Sequence, residues 1–150
     1  MTPPVASPGR TRWIALLGNP NTGKTTLFNA LTGFRARVAN YPGVTVEKKS
    51  GPLRALPGVE VLDLPGTYSL APRSPDEMVA VDVLLGRRDD TQRPDAVLLV
   101  ADASNLERNL YLATQVLETG LPAVLALNMS DVARARGHEI DVARLSLIHI

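Results

Sequence analysis

Cysteine is absent from the 150 residues. Disulfides and cysteine-ligated zinc or iron–sulfur centres are therefore excluded. A surplus of charge is absent too: the formal net charge is +1 at pH 7, which gives no support to a nucleic-acid-binding surface. The densest charge cluster, "GRRDD" at 86–90, pairs opposite signs and reads as a solvated loop. No apolar run reaches transmembrane length; "AVLLVA" (96–101) and "LPAVLAL" (121–127) fit buried strands. Residues 1–11 contain no apolar run of signal-peptide type. Their prolines and small polar residues read as a disordered lead-in. His138 and His149 sit far from the glycine-rich segment described below and read as surface positions. What remains is ordinary globular material, 45% hydrophobic and 21% charged, long enough for one domain with a real core. The expectation for the chain by itself is a soluble, cytoplasmic domain.

The pattern alternates strands with helices. "RWIALLG" (12–18) is a compact apolar run ending in glycine and predicts a buried strand. "GKTTLFNALTG" predicts a helix closed by Gly33, with Leu27, Ala30 and Leu31 as its inward stripe. Residues 34–44 read as an irregular loop. "TVEKKSGPLRAL" predicts an edge strand turning at Ser50-Gly51, and "PGVEVLDL" (57–64) a second strand. Ser74 to Asp76 can open a helix with Pro75 in its first turn. "PDAVLLVAD" has the near-continuous apolarity of a strand covered on both faces. "SNLERNLYLATQVLET" predicts a helix with Ser104 as N-cap, Glu107 three residues on and Gly120 at its end. "LPAVLALN" and "MSDVARARG" add a strand and a short helix. This order argues a parallel α/β sheet with helices on both faces.

"GNPNTGKT" (18–25) satisfies the eight-position phosphate-loop pattern, between a buried strand and a helix. Gly18 and Gly23 let the backbone turn its N–H groups around phosphate oxygens, with Asn19, Pro20, Asn21 and Thr22 between them. The helix that follows, through Lys24, Thr25 and Thr26, aims its positive end at the same anion. Lys24 is a point charge able to bridge the β and γ phosphates, and Thr25 offers a hydroxyl to Mg²⁺. "VEVLDLPG" delivers Asp63 at the carboxyl end of a strand, where ligands of open α/β sheets collect. Asp63 can orient a magnesium-bound water, and beyond Leu64 and Pro65 the Gly66 N–H can meet the γ-phosphate. Alone, a strand-ending aspartate is ordinary; after a phosphate loop it joins the site.

"LALNMSD" (125–131) selects the base. The Asp131 carboxylate can accept from guanine N1–H and its exocyclic amine together. Adenine has neither donor there, and an unpaired buried charge is costly. Asn128 can contact the base and tie this loop to the phosphate loop. An N-x-x-D alone is weak, because both residues are frequent in turns; in this order it favours guanine.

Together, "GNPNTGKTTLFNALTG", "NYPGVTVEKKSG", "DLPGTYSL", "DASNLERNLYLATQVLE" and "LALNMSD" resemble the N-terminal GTPase domain of the ferrous iron transport protein B (FeoB) family. The second and fourth stretches are the particular ones; the others are shared in type by many GTPases. The resemblance covers residues 12–145 and implies a P-loop NTPase with a Ras-like, doubly wound, mostly parallel sheet. It implies that residues 34–45 are a first switch, including Gly43, Val44 and Thr45, with Thr45 on Mg²⁺ in the GTP state. Asp63 to about residue 75 would be the second switch. It implies Lys24, Asn21, Thr45 and Gly66 as the hydrolytic group, GTP and GDP as ligands, and Mg²⁺ held by Thr25, Thr45 and, through water, Asp63. K⁺ would be held by the Asn21 side chain, because family members with asparagine there are K⁺-activated. In the family a helical domain and a transmembrane iron-transport domain follow, which implies the cytoplasmic side of the bacterial inner membrane and leaves open an oligomer formed through the membrane part.

Three departures accompany the resemblance. Met129, followed by Ser130, stands where many guanine sites carry lysine, as is usual in this family. Thr67 stands where Ras-like enzymes have the water-orienting glutamine. Residues 146–150 do not continue the family pattern, so the last strand and helix of the fold are expected to be missing. Two alternatives to a GTPase regulating Fe²⁺ transport stay open: a non-catalytic GTP/GDP sensor, and a ribosome- or tRNA-associated GTPase of the same superfamily.

Overall fold

The computed structural model describes residues 9–147. Most of the expected lead-in, His149 and the end of the 146–150 tail lie outside the described residues. Arg10 is already tied to Asp95, with Nη2 2.8 Å from Oδ1.

The elements are β1 (Arg12–Gly18), α1 (Lys24–Thr32), β2 (Arg37–Asn40), β3 (Glu47–Pro52), β4 (Val59–Asp63) and α2 (Pro75–Leu84). There follow β5 (Ala96–Asp102), a 3₁₀ turn (Ala103–Asn105), α3 (Leu106–Glu118), β6 (Ala123–Asn128), α4 (Ser130–Ala135) and α5 (Val142–Leu147). One six-stranded sheet runs in the order β2-β3-β4-β1-β5-β6. β4, β1, β5 and β6 are parallel, whereas β2 and β3 pair antiparallel. The central strands are buried on both faces, which explains their near-continuous apolarity. Alternation splits them between two cores. Ala15, Leu17, Leu62, Leu64, Val97 and Leu99 meet α2 and α3 through Val79, Val83, Leu84, Leu112 and Val116. Leu16, Val61 and Val100 meet Phe28 of α1.

Four local expectations need correction. Residues 34–44 are not wholly irregular: Arg37–Asn40 form β2 against β3. β3 is thus not an edge strand, and it runs straight through Ser50-Gly51. Gly51 serves close approach, since a Cβ there would lie 2.2 Å from the Arg35 carbonyl oxygen. The fully buried residues of α1 are Phe28 and Thr32; Leu27 does pack against the Phe28 core as expected, half-buried, while Ala30 is exposed and lines a groove toward β6. The helical period was legible, but its phase is set by what the helix packs on. Ser104 is not the α3 cap. Asp102 caps the 3₁₀ turn instead, its Oδ1 accepting from Ser104 N at 2.8 Å and Ser104 Oγ at 2.6 Å. Ser74 does cap α2, accepting from Glu77 N at 3.2 Å, with Pro75 at the first position.

Candidate nucleotide site

β1 ends at Gly18 and α1 begins at Lys24, so residues 19–23 form a loop at the carboxyl edge of the sheet. Its shape depends on contacts that only glycine permits. A Cβ on Gly18 would lie 2.6 Å from the Val100 carbonyl oxygen. Gly23 has φ +87° and opens α1 as its N-cap; a Cβ there would lie 2.1 Å from Asn128 Nδ2. Asn21 adopts φ +62°, a left-handed conformation that asparagine tolerates better than most side chains. Thr22 is buried, its Oγ1 donating to the Asn19 carbonyl at 3.0 Å. Asn19 is also buried, and neither end of its amide has a partner. Asn19 to Thr25, with Gly66, line a cleft of about 420 Å³.

Lys24 Nζ forms an ion pair with Asp63 Oδ1; their side chains are 14% and 11% exposed. The structure thus brings the presumed phosphate cation and the strand-end carboxylate together. Such a pair in a low-dielectric cleft is strained by desolvation and can exchange for stronger partners. Behind it, Leu64 N donates to Leu16 O and Thr67 N to Gly18 O, both at 3.0 Å. The D-x-x-G segment is therefore anchored to β1. Leu64 is buried and Pro65 half-buried, while Gly66 sits 3.2 Å, by its would-be Cβ, from Pro20. Thr67 is fully buried, its hydroxyl donating to the Ser69 carbonyl at 2.7 Å. That hydroxyl is engaged within its own loop.

The segment after D-x-x-G rests on α3. The Arg108 guanidinium lies 4.1 Å from the Tyr68 ring centroid, a cation–π distance. Gln115 Oε1 accepts from Leu70 N at 2.7 Å. At the end of β5, Asn109 Oδ1 accepts from Asp102 N at 3.1 Å and its Nδ2 donates to Asn105 O at 2.8 Å. The "DASNLERN" stretch is thus a polar knot at the strand end, and α4 packs against its 3₁₀ turn. These scaffolding roles were not foreseen; no local spacing rule signals them.

Asn128 ends β6 opposite Asp102. Its Nδ2 donates to Thr22 O at 2.8 Å, which is the expected tie between base loop and phosphate loop. Met129 precedes α4 with φ +58°. Ser130 Oγ bonds Leu127 O at 3.4 Å. Asp131 is exposed in the first turn of α4. Thr25, Thr26, Gly43, Val44 and Thr45 are exposed as well. Among the described residues, no hydrogen bond joins Thr45 or Asp131 to the phosphate loop.

Within residues 34–45 the ring of Tyr41 is buried. Tyr41 is 1% exposed; burial pushes its hydroxyl pKa well up, with Arg88 opposing and Asp63 and Asp90 adding to the rise. That hydroxyl has no hydrogen-bond partner. "GRRDD" is correspondingly not a purely solvated loop: Arg88 reaches the first switch.

A family model described as ferrous iron transport protein B matches residues 12–148. The Fe(2+) transporter FeoB of Salmonella typhimurium is 51% identical over 138 residues, covering 89% of this chain and 17% of the relative. The Fe(2+) transport protein A/Fe(2+) transporter FeoB fusion protein of Porphyromonas gingivalis is 50% identical over 134 residues, covering 89% and 15%. The chain therefore spans less than a fifth of these curated relatives. A solved S. thermophilus NFeoB variant bound to mGDP superposes with a TM-score of 0.83 at 54% identity, over 92% of this chain and 51% of that one. S. thermophilus NFeoB bound to GDP.AlF4⁻ and K⁺ gives a TM-score of 0.75 at 55% identity, over 90% and 51%. With the phosphate loop, the D-x-x-G segment and the N-x-x-D loop gathered at one edge of a mixed six-stranded sheet, the chain belongs to the ferrous iron transport protein B family and has its P-loop G-domain fold.

Proposed function

We propose that this chain binds and hydrolyses GTP and switches its loops on hydrolysis, as the regulatory domain of a bacterial ferrous iron transporter. The observation that carries the reading is the clasp of three motifs at one edge. Lys24 and Asp63 meet inside a glycine-shaped loop, and Asn128 bonds that loop from the base side.

On this reading Lys24 leaves Asp63 to hold the β- and γ-phosphates, while the inward N–H groups of residues 19–25 hold the remaining oxygens. Gly66 N–H meets the γ-phosphate. Water displaces GDP at the γ-phosphorus, forming one P–O bond as the bond to the bridging oxygen breaks. Thr25 and Asn21 line the cleft; Thr25, with Thr45 and, through water, Asp63, would hold Mg²⁺, and the Asn21 side-chain oxygen would hold K⁺. These cations supply positive charge where the phosphates gain negative charge. Met129 and Ser130 flank the base, and Asp131 reads the guanine donors. S. thermophilus NFeoB, bound to GDP.AlF4⁻ and K⁺, supports the K⁺ element. In the longer protein, a helical and a transmembrane domain would follow, and this domain would lie on the cytoplasmic side of the inner membrane. Among the described residues no helix is long and apolar enough to cross a membrane. Family membership favours iron transport over a ribosome- or tRNA-associated role.

The sensor reading keeps one observation in its favour: Thr67 is buried and its hydroxyl is engaged. Phosphate release from GTP and ATP, with Mg²⁺ and K⁺, separates the readings. Repeated turnover of GTP and not ATP, lost in Lys24→Ala, is the expected result. Binding without turnover selects the sensor, and equal use of ATP removes the guanine assignment. Transport is tested in the longer protein: Lys24→Ala should abolish Fe²⁺ uptake there.

A further inference from the structure

Asn19 is 4% exposed, and both ends of its side-chain amide are buried without a hydrogen-bond partner. An unpaired amide in a protein interior is costly and calls for a reason. The shape of the phosphate loop does not supply one. Thr22 Oγ1 bonds the Asn19 backbone carbonyl rather than its side chain, and Asn128 Nδ2 bonds Thr22 O. Other groups therefore hold the loop.

The position of Asn19 is more informative. Before it, Gly18 O accepts from Thr67 N at 3.0 Å. After it, Pro20 packs on Gly66, whose would-be Cβ lies 3.2 Å from the Pro20 nitrogen and α-carbon. Asn19 is thus bracketed by the two contacts that seat D-x-x-G on the phosphate loop. In that seat the Gly66 N–H and the Pro65 carbonyl bond no described residue. Both belong to one trans peptide unit, so they point in opposite directions. Gly66 lines the cleft together with Asn19 and Pro20. Turning the Gly66 N–H into the cleft turns the Pro65 carbonyl away from it, toward the side where Asn19 keeps an unpaired donor.

We propose that Asn19 is a positioning residue for the γ-phosphate: its Nδ2 donates to the Pro65 carbonyl when the Gly66 N–H swings onto that phosphate. The nucleotide-free and diphosphate states carry the unpaired amide, and pairing it favours the triphosphate state. The Asn19 side chain acts through Gly66 and touches no phosphate. This role rests on the GTPase reading; the unpaired amide itself does not.

Asn19→Leu keeps the branched shape and removes both polar ends, so it tests the amide without nucleotide. Denaturant unfolding of the nucleotide-free variant should give a midpoint equal to or above that of the wild type. A lower midpoint means that the amide is already paired and overturns the proposal. The second measurement is affinity for GMPPNP and for GDP, each with Mg²⁺. Asn19→Leu should weaken GMPPNP about tenfold and GDP by less than about twofold. Asn19→Ala serves for this comparison if Asn19→Leu does not fold. Equal loss for both nucleotides, or no loss for either, marks a merely structural role and overturns the positioning claim. In a Gly66→Ala background the added methyl blocks the swing against Pro20, and the GMPPNP effect of Asn19→Leu should vanish. An undiminished loss there also overturns the claim. A wild-type chain that binds neither nucleotide sinks the GTPase reading and the role of Asn19 with it. A wild-type chain that binds both, with their ratio unchanged in Asn19→Leu, sinks the role of Asn19 alone.

Discussion

The phosphate end and the base end of the site are built to different standards. The phosphate loop leaves the central strand β1, which is paired on both sides, and is clamped by Val100, Gly66 and Asn128. Its cation already has a carboxylate partner. The base loop leaves β6, the last strand in the described sheet, and Asp131 projects from a six-residue helix into solvent. Central strands buried on both faces tolerate little displacement, whereas an edge strand can shift without opening a core. On the proposed reading, the grip on phosphate is therefore preorganised, and discrimination between bases depends on groups that nucleotide must order. A hydrogen bond from Asn128 to Thr22 couples the two ends.

The strongest way to break this asymmetry is Lys24→Ala. It removes the phosphate cation and leaves Asp63 unpaired in the cleft. Affinity for GTP should fall by about two orders of magnitude or more, while the fold persists. Titration calorimetry with GTP checks it; retained affinity would move the phosphate site elsewhere.

Asp131→Asn attacks the other end. Xanthine presents an acceptor where guanine has its amine, so the variant should lose about a hundredfold in GTP affinity and gain for xanthosine triphosphate. Because Asp131 is exposed, melting temperature should not change. Competition binding with both nucleotides measures the exchange, and unchanged GTP affinity would sink the assignment of Asp131 to the base.

The junction itself is testable at smaller magnitude. Gly23→Ala combines a left-handed backbone with a clash on Asn128 Nδ2. It should cost about 2 kcal/mol and weaken GTP and GDP alike, by about tenfold. Gly43→Ala shares a positive φ, +79°, but has nothing within 4 Å of its Cβ. Its cost should be about 1 kcal/mol of backbone strain alone. Denaturant unfolding of both variants compares them directly; equal losses would mean the Asn128 clasp contributes nothing.

The same contrast explains what the sequence made legible. Phosphate loop, D-x-x-G and N-x-x-D are short, local and tied to strand ends, so their residues could be named before any fold was known. Four of the six strands were also legible because burial on one or both faces leaves an apolar signature, and β3, with the sequence EKKSGP, was read without one. β2 was not: Arg37–Asn40 is exposed throughout and owes its conformation to pairing with β3. The phase of α1 escaped because Phe28 and Thr32 are chosen by the β1–β4 surface beneath them. Arg88 escaped for a related reason. Its partners Tyr41 and Pro42 lie more than forty residues away, and only the folded chain sets a charged loop against a buried ring.

The smallest expected effect concerns the one non-glycine residue of the phosphate loop with a positive φ. Asn21 has φ +62°, and two explanations compete for it. Asparagine is among the side chains that best tolerate the left-handed region, so Asn21 can serve the loop shape alone. Its side-chain oxygen can also hold K⁺ beside the phosphates, supplying the cation that neither Thr67 nor any motif-placed arginine provides. On the second explanation, hydrolysis should run several-fold or more faster in KCl than in NaCl at equal ionic strength. Asn21→Ala should abolish the difference, but it also strains a left-handed backbone. Asn21→Gly is the cleaner variant: it keeps the conformation at no steric cost and removes only the oxygen. Initial phosphate release in K⁺, Na⁺ and Cs⁺, at saturating GTP, separates the two roles. If Asn21→Gly loses K⁺ activation while GTP stays bound, the oxygen acts through the cation. If the wild-type rates are equal in all three salts, Asn21 is a loop-shaping residue and K⁺ has no part in the mechanism.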